Sequence, residues 1–261
     1  MPMEAVLKLE LSERESRAVR ELIALCNETD GTNYDPSAET EGDFYYLIRN
    51  EEASETAVSG ELLSFLSAYR LGGDAEEGER LAVSAFTHHG IRRQGLFRLC
   101  LNSLRDDFRS FSYRFLVKCA AGREEAGEIP EHTRHCLLSI GAERKKDELF
   151  LEKLLPRGIS DPGDSLSDRF GELHFTPYSK DTLYLYGLLV YDSYLRQGHG
   201  RALLKKAEQY KAGPYRRILL QADSRNLPAL SLYRSENYIV TDRICCFDLG
   251  EKLRKKEQSR C

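Results

Sequence analysis

The run Leu81-Ala-Val-Ser-Ala-Phe86 is apolar and strand-like, the next nine residues are mostly polar and hold two glycines, and from Leu96 apolar side chains return at helical spacing. Leu96, Cys100 and Leu104 fall on one stripe, joined by Phe97, Leu101 and Phe108, which predicts an amphipathic helix through about Phe108. The order is strand, glycine turn, helix. It occurs again further along: Leu183 to Val190 reads as a strand, Tyr191 to Gly200 as a turn, and Arg201 to Ala212 as a helix with Leu203, Ala207 and Tyr210 on one side. Gly213-Pro214 stops that helix.

Both turns contain Arg-Gln-Gly, at Arg93-Gln94-Gly95 and Arg196-Gln197-Gly198, and both helices lead into a further predicted strand, Tyr113 to Cys119 and Arg217 to Ala222. A duplicated β-α-β unit is the simplest account, and two related lobes follow from it. The Pro/Gly/Ser/Asp-rich residues 156–165 are expected to link a first lobe (1–155) to a second (166–261). A helix through about Cys26 and strands at Phe44 to Arg49 and Glu61 to Tyr69 complete the larger first lobe. The expected fold class is α/β or α+β with mixed sheets.

Composition narrows the function classes. Apolar residues make up 41% of the 261 and charged residues 31%, the balance of a soluble globular protein. A formal net charge of -4 argues against nucleic acid as a partner, so the basic pairs Lys205/Lys206, Arg216/Arg217 and Lys255/Lys256 read as solvated faces. Seven scattered cysteines (26, 100, 119, 136, 245, 246 and 261) form no C-x-x-C pair, which suggests neither a disulfide framework nor zinc and fits a reducing cytoplasm. The longest apolar run, Leu183 to Tyr191, falls far short of the ~20 residues that cross a bilayer, so no membrane is expected. His132 and His135, at i, i+3 without a supporting carboxylate, are read as a helix surface and not as metal ligands, and His88-His89 as a solvated loop.

The glycine turn carries the chemistry. A helix N-terminus leaves its first N–H groups unpartnered and partly positive, which suits an anion. Gly198 and Gly200 would keep side chains away from those groups, and Arg196 and Arg201 would add charge. A dinucleotide site would want a third glycine where Leu203 stands, and the G-x-x-x-x-G-K-[ST] of nucleotide triphosphatases is absent, as is the G-x-S-x-G of serine hydrolases. Downstream, the strand at Arg217 to Ala222 runs into a short helix with Asn226 as N-cap, Pro228 in its first turn and Ala229 and Tyr233 on one face. Asn237 stands where the helix must end in a left-handed residue.

This combination resembles the GNAT superfamily of N-acetyltransferases. Val190 through Gly198-His199-Gly200 corresponds to motif A, strand V-x-P-x-x-[RQ]-x-x-G-x-[GA] helix, and Asn226, Ala229, Tyr233, Asn237 and Tyr238 to motif B, N-x-x-A-x-x-x-Y-x-x-x-G-[FY]. Leu195 replaces the motif A Arg or Gln, no proline stands near Ser193, and Asn237 replaces the motif B glycine. The first lobe resembles the family in part. Arg92-x-x-Gly95-x-Phe97 keeps the start of motif A, while counting back from Gly141 puts Leu137 at the tyrosine position and Pro130 at the asparagine position.

The resemblance implies a tandem protein of two GNAT-like lobes, each a mixed, largely antiparallel sheet flanked by helices, with the second lobe catalytic and the first degenerate. It implies acetyl-CoA as cofactor and an amine as acceptor. Leu189 and Val190 would bind the pantetheine arm and thioester, the N–H groups of Arg196, Gln197, Gly198, His199, Gly200 and Arg201 the phosphates, and Asn226 would lie beside the cofactor arm. Tyr233 would face the sulfur. Because an alkylamine is mostly protonated at neutral pH, a base is needed, and Glu172, His174 and Asp223 are the candidates, with a water relay as the alternative. A non-catalytic acyl-CoA-binding regulatory protein and a CoA held by the first lobe at Arg92 to Gly95 are the other expectations.

Overall fold

The computed structural model describes residues 3–50, 62–71, 79–119, 129–210 and 213–249. Glu61, Ala212, Lys255, Lys256 and Cys261, which figured in the sequence reading, lie outside the described residues. Two units emerge, and each has its own core.

Unit 1 orders five strands as β1 (Val6–Lys8), β2 (Phe44–Arg49), β3 (Leu62–Leu71), β4 (Arg80–Thr87) and β5 (Ser112–Cys119). All neighbours are antiparallel except β4 and β5, which run parallel from Arg80↔Ser112 to Val83↔Phe115 and then lose register. Helix α1 (Glu13–Asp30) begins at a capping box, with Ser12 accepting from the Glu15 N–H and Glu15 reaching back to the Ser12 N–H. Its stripe of Val19, Leu22, Ile23 and Cys26 is buried on Tyr45, Leu47, Phe65 and Phe86. On the other face α2 (Leu96–Asp107) and α3 (Glu131–Ser139) cover Tyr46, Leu66, Leu81 and Phe115, so the sheet is sandwiched between helices.

Unit 2 orders β6 (Glu143–Ile159), β10 (Tyr215–Asp223), β9 (Thr182–Val190), β8 (Gly171–Pro177) and β7 (Ser165–Asp168). Again one pair, β9 with β10, is parallel and the others are antiparallel. Helices α4 (His199–Glu208) and α5 (Leu227–Ser235) both pack on one face, where Leu203, Leu204, Ala207, Leu230 and Tyr233 meet Leu173, Phe175, Leu183 and Leu185. Among the described residues no helix is long and apolar enough to cross a membrane.

The expected boundaries need correction. Residues 156–159 are not a linker but the end of β6, and Ile159 pairs with Tyr215 of β10. Gly158 serves a close crossing there, since a Cβ on it would stand 2.0 Å from the Gly213 carbonyl oxygen. Residues 146–155 belong to unit 2, whereas the chain from 244 belongs to unit 1. There the end of β11 (Ile239–Leu249) lies beside β5, and Cys245, Phe247 and Leu249 join the unit 1 core. The strand that follows α3 thus leaves for unit 2, and the strand that follows α5 returns to complete unit 1.

The duplication is visible in the backbone. Arg93 and Gly95 have φ of 66° and 87°, and Arg196 and Gly198 have 60° and 87°. Gly141 after α3 and Asn237 after α5 are both left-handed, at 80° and 65°.

Candidate functional site

In unit 2 the chain leaves β9 at Val190, makes a 3-10 turn at Asp192–Tyr194, and enters α4 through Gly198, the N-cap residue at φ 87°, ψ 0°. Ala202 is the first residue whose N–H finds a helical acceptor, the Gly198 carbonyl at 3.0 Å. The N–H groups of residues 199–201 are therefore the ones that an anion would take. A Cβ built on Gly198 meets nothing within 4 Å, so the turn is open on that side. Gly200 has a different reason to be glycine. Its Cβ would stand 3.2 Å from Leu232 Cδ2 and 3.5 Å from Val190 Cγ2, so it lets α4 close on α5 and β9 and offers the turn only its N–H.

The side chains of the turn divide sharply. Arg201 does not point its charge at an anion but ties α4 to the end of α5, with Nε 2.6 Å from Glu236 Oε1 and Nη2 donating to Ser235 Oγ at 2.9 Å. The His199 ring stacks on Phe170 at 3.8 Å, and Gln197 donates to the Ser193 carbonyl at 3.1 Å. Among the described residues Arg196 has no partner, and it is exposed.

The pairing of β9 with β10 ends at Leu185↔Leu220, so the last residues of both strands diverge. On its other side β9 carries a bulge. His174 pairs with Tyr186 and Glu172 with Leu189, giving β9 one residue more than β8, and Gly187 takes that residue up at φ 63°. The bulge interrupts the ladder only between Tyr186 and Leu189, since Leu189 and Val190 pair with Glu172 and Gly171 of β8; the edge of β9 that faces β10 is the one left unpaired beyond Leu185.

Motif B folds as read. Asn226 caps α5, its Oδ1 accepting from the Ala229 N–H at 3.2 Å, so that oxygen is already engaged. The Tyr233 ring is 6% exposed in the unit 2 core and tilts against Tyr238 at 5.9 Å, yet its hydroxyl has no protein partner among the described residues and is not among the sealed, unpaired polar atoms. A buried ring with an open hydroxyl is a donor waiting for an acceptor. Burial also raises the phenol above its usual range.

The three base candidates separate. Asp223 is held by Arg225, which donates to both carboxylate oxygens at 3.0 and 2.7 Å, and its carboxyl is pushed down to about 2. So weak a base is poorly suited to take an ammonium proton. Glu172 and His174 share one face of β8, as their spacing implied, with Glu172 Oε1 3.9 Å from His174 Nε2. Both sit beside the bulge.

Unit 1 repeats the frame with different contents. Leu137, at the position of Tyr233, is 4% exposed and has no proton to give. The β3/β4 register runs unbroken from Ser64↔Thr87 to Leu71↔Arg80, so no bulge is present. Arg92 is consumed as a clamp, donating to both Asp30 oxygens at 2.7 Å and to the Thr87 carbonyl at 3.1 Å, with His132 Nε2 3.1 Å away. His132 is thereby accounted for, its proton affinity lowered by burial and by Arg92. Where β4 and β5 diverge under the Arg93–Gly95 turn, a cavity of about 960 Å³ opens, walled by Phe86, Phe97, Phe115, Val117 and Leu137. The large cavity and the free phenol thus lie in different units. The bulge, the Arg92 clamp and this cavity were not read from the sequence. Gly187 inside an otherwise regular strand was the one available signal.

Comparison with known proteins places these observations. Residues 169–237 match the acetyltransferase (GNAT) family model. Over the whole chain the fold is similar to a GCN5-related N-acetyltransferase from Sphaerobacter thermophilus (TM-score 0.64, 14% identity, 94% of this chain and 95% of that one). It is also similar to a tandem GNAT protein from the clavulanic acid biosynthesis pathway (0.60, 11%, 95% and 98%). No curated protein matches by sequence.

Proposed function

We propose that this chain, whose residues 169–237 match the acetyltransferase (GNAT) family model, is an acetyl-CoA-dependent N-acetyltransferase whose chemistry runs in unit 2, with the amine of a small molecule or peptide as acceptor. The observation that carries the reading is the unpartnered Tyr233 hydroxyl on a helix tied by Arg201 to an open anion turn. Bound acetyl-CoA supplies an activated thioester and a diphosphate.

This chain's residues would do the rest. The N–H groups of residues 199–201 and the Arg196 guanidinium take the diphosphate. The free edge of β9 at Leu189 and Val190 orients the carbonyl. In the transfer the amine nitrogen bonds to the acetyl carbon as the carbon–sulfur bond breaks. The amine proton goes toward the Glu172–His174 pair, and Tyr233 donates a hydrogen bond to the departing thiolate. A thiolate, whose parent thiol has a pKa of about 8.5, is a weaker base than a phenolate whose parent phenol is raised above its usual value of about 10, so Tyr233 keeps its proton and acts as donor.

A second reading, a non-catalytic acyl-CoA-binding regulatory protein, draws on the unit 1 cavity, where a similar turn overhangs a large space that has Leu137 in place of the Tyr233 phenol. One pair of measurements separates the two. Thiol release from acetyl-CoA over a panel of amines reports chemistry, and calorimetric stoichiometry of CoA reports sites. Turnover with any amine supports the first reading. Tight CoA binding with no thiol release from any amine supports the second and sinks the first.

A further inference from the structure

Unit 2 covers one face of its sheet with α4 and α5 and, among the described residues, places no helix of its own on the other. That other face carries a row of rings. Tyr178 lies 6.4 Å from Tyr184, Tyr184 stacks with Tyr186 at 6.1 Å, and Tyr186 stacks with His174 at 5.4 Å. Tyr178 and Tyr186 are 68% and 44% exposed. Exposed aromatic rows of this kind are uncommon on a surface that only needs to be solvated.

The row leads somewhere. His174 is followed on β8 by Glu172, which is paired in register with Leu189, the residue beside the proposed thioester position. Other carboxylates on this face are neutralised: Asp223 by Arg225 at 2.7 Å, Glu148 by Lys146 at 2.8 Å and Glu152 by Arg217 at 3.4 Å. Among the described residues Glu172 has only His174. The face therefore offers an uncompensated negative charge at the reacting end and a flat apolar path leading away from it.

We infer that this row is the acceptor subsite and that it selects primary amines carrying a flat, apolar tail, with the ammonium at Glu172 and the tail over Tyr186 and Tyr184. The inference rests on the acyl-transfer reading above and adds the substrate class to it. An anionic tail is repelled at Glu172, and a tail-less amine forgoes the stacking on the rings.

The test compares phenethylamine with ethylamine as acceptors for the full chain, and measures by calorimetry the direct binding of phenethyltrimethylammonium, which keeps the cation and the ring but cannot be acetylated. Tyr186→Ala is expected to raise both the KM for phenethylamine and the Kd of the quaternary probe about tenfold. The ethylamine KM should rise less than the phenethylamine KM, which separates the tail's contribution from any effect passed through His174. Tyr186→Phe should remain within about twofold of wild type, and Glu172→Gln should weaken the probe at least as much as Tyr186→Ala. Turnover that ignores the tail and the Tyr186→Ala change overturns the subsite while leaving the transferase standing. Probe binding lost in Tyr186→Ala, in a chain that acetylates no amine, upholds the subsite and removes the transferase. A wild-type chain that neither binds the probe nor prefers phenethylamine overturns the subsite outright.

Discussion

Gly95 and Gly198 are a matched pair, and substituting each with alanine asks which turn serves the reaction. Both cap a helix at φ 87°, ψ 0°, and a Cβ on either meets nothing within 4 Å. Alanine in the left-handed region costs about 1–2 kcal/mol, so each variant should lose that much stability and melt a few degrees lower. The stability cost is the same by construction. The functional cost is not. Alanine favours relief by rotation of the neighbouring peptides, which turns N–H groups away from the anion position. Removing one charge-assisted hydrogen bond to the diphosphate costs about 1.5–3 kcal/mol, or roughly tenfold to a hundredfold in affinity. Gly198→Ala should therefore raise the acetyl-CoA KM by that factor in a thiol-release assay, while Gly95→Ala leaves it within about twofold. The reverse outcome, with Gly95→Ala crippling turnover and Gly198→Ala sparing it, would refute the placement of chemistry in unit 2.

Three further outcomes are expected. Phe247→Ala, near the C-terminal end of the described chain, should cost about 3–5 kcal/mol and unfold unit 1, because its 3%-exposed ring belongs to that core; hydrogen exchange showing loss of protection in residues 146–243 alone would contradict it. Because burial raises Tyr233, kcat/KM should climb with pH as the amine loses its proton and should show no descending limb below pH 10; a descending limb near 8 would mean some other acid is essential. His132 has a folded pKa below its unfolded value, so stability is full above pH 6.5 and declines as pH falls from there through the folded pKa, where the unfolded chain binds more protons. His132→Gln should flatten that part of the melting-temperature profile, and an unchanged slope would assign it to other groups.

Local signals were legible wherever the chain declares its own geometry. The apolar run and the stripe of Leu96, Cys100 and Leu104 placed β4 and α2, and the same reasoning placed β9 and α4, although α4 starts two residues before the expected Arg201 and ends at Glu208. Asn226 and Asn237 marked both ends of α5 because capping and left-handed termination are written in single residues. What stayed hidden depends on distant partners. Residues 156–159 hold the Pro and Gly of a linker, but Gly158 is demanded by Gly213 and not by a turn. Nothing local in Cys245, Phe247 and Leu249 says which of two similar cores they will enter. The duties of Arg92 and Arg201 were equally unreadable, since an arginine beside a glycine turn looks the same whether it awaits an anion or already holds Asp30 or Glu236.

Whether Tyr233 serves the leaving sulfur is decided by single-turnover thiol release with Tyr233→Phe, run beside calorimetric titration of CoA. The phenyl ring keeps the packing of α5 and deletes only the unpartnered hydroxyl. Acetyl transfer should slow about a hundredfold while CoA affinity stays essentially unchanged. A variant that transfers acetyl groups at the wild-type rate would contradict that role.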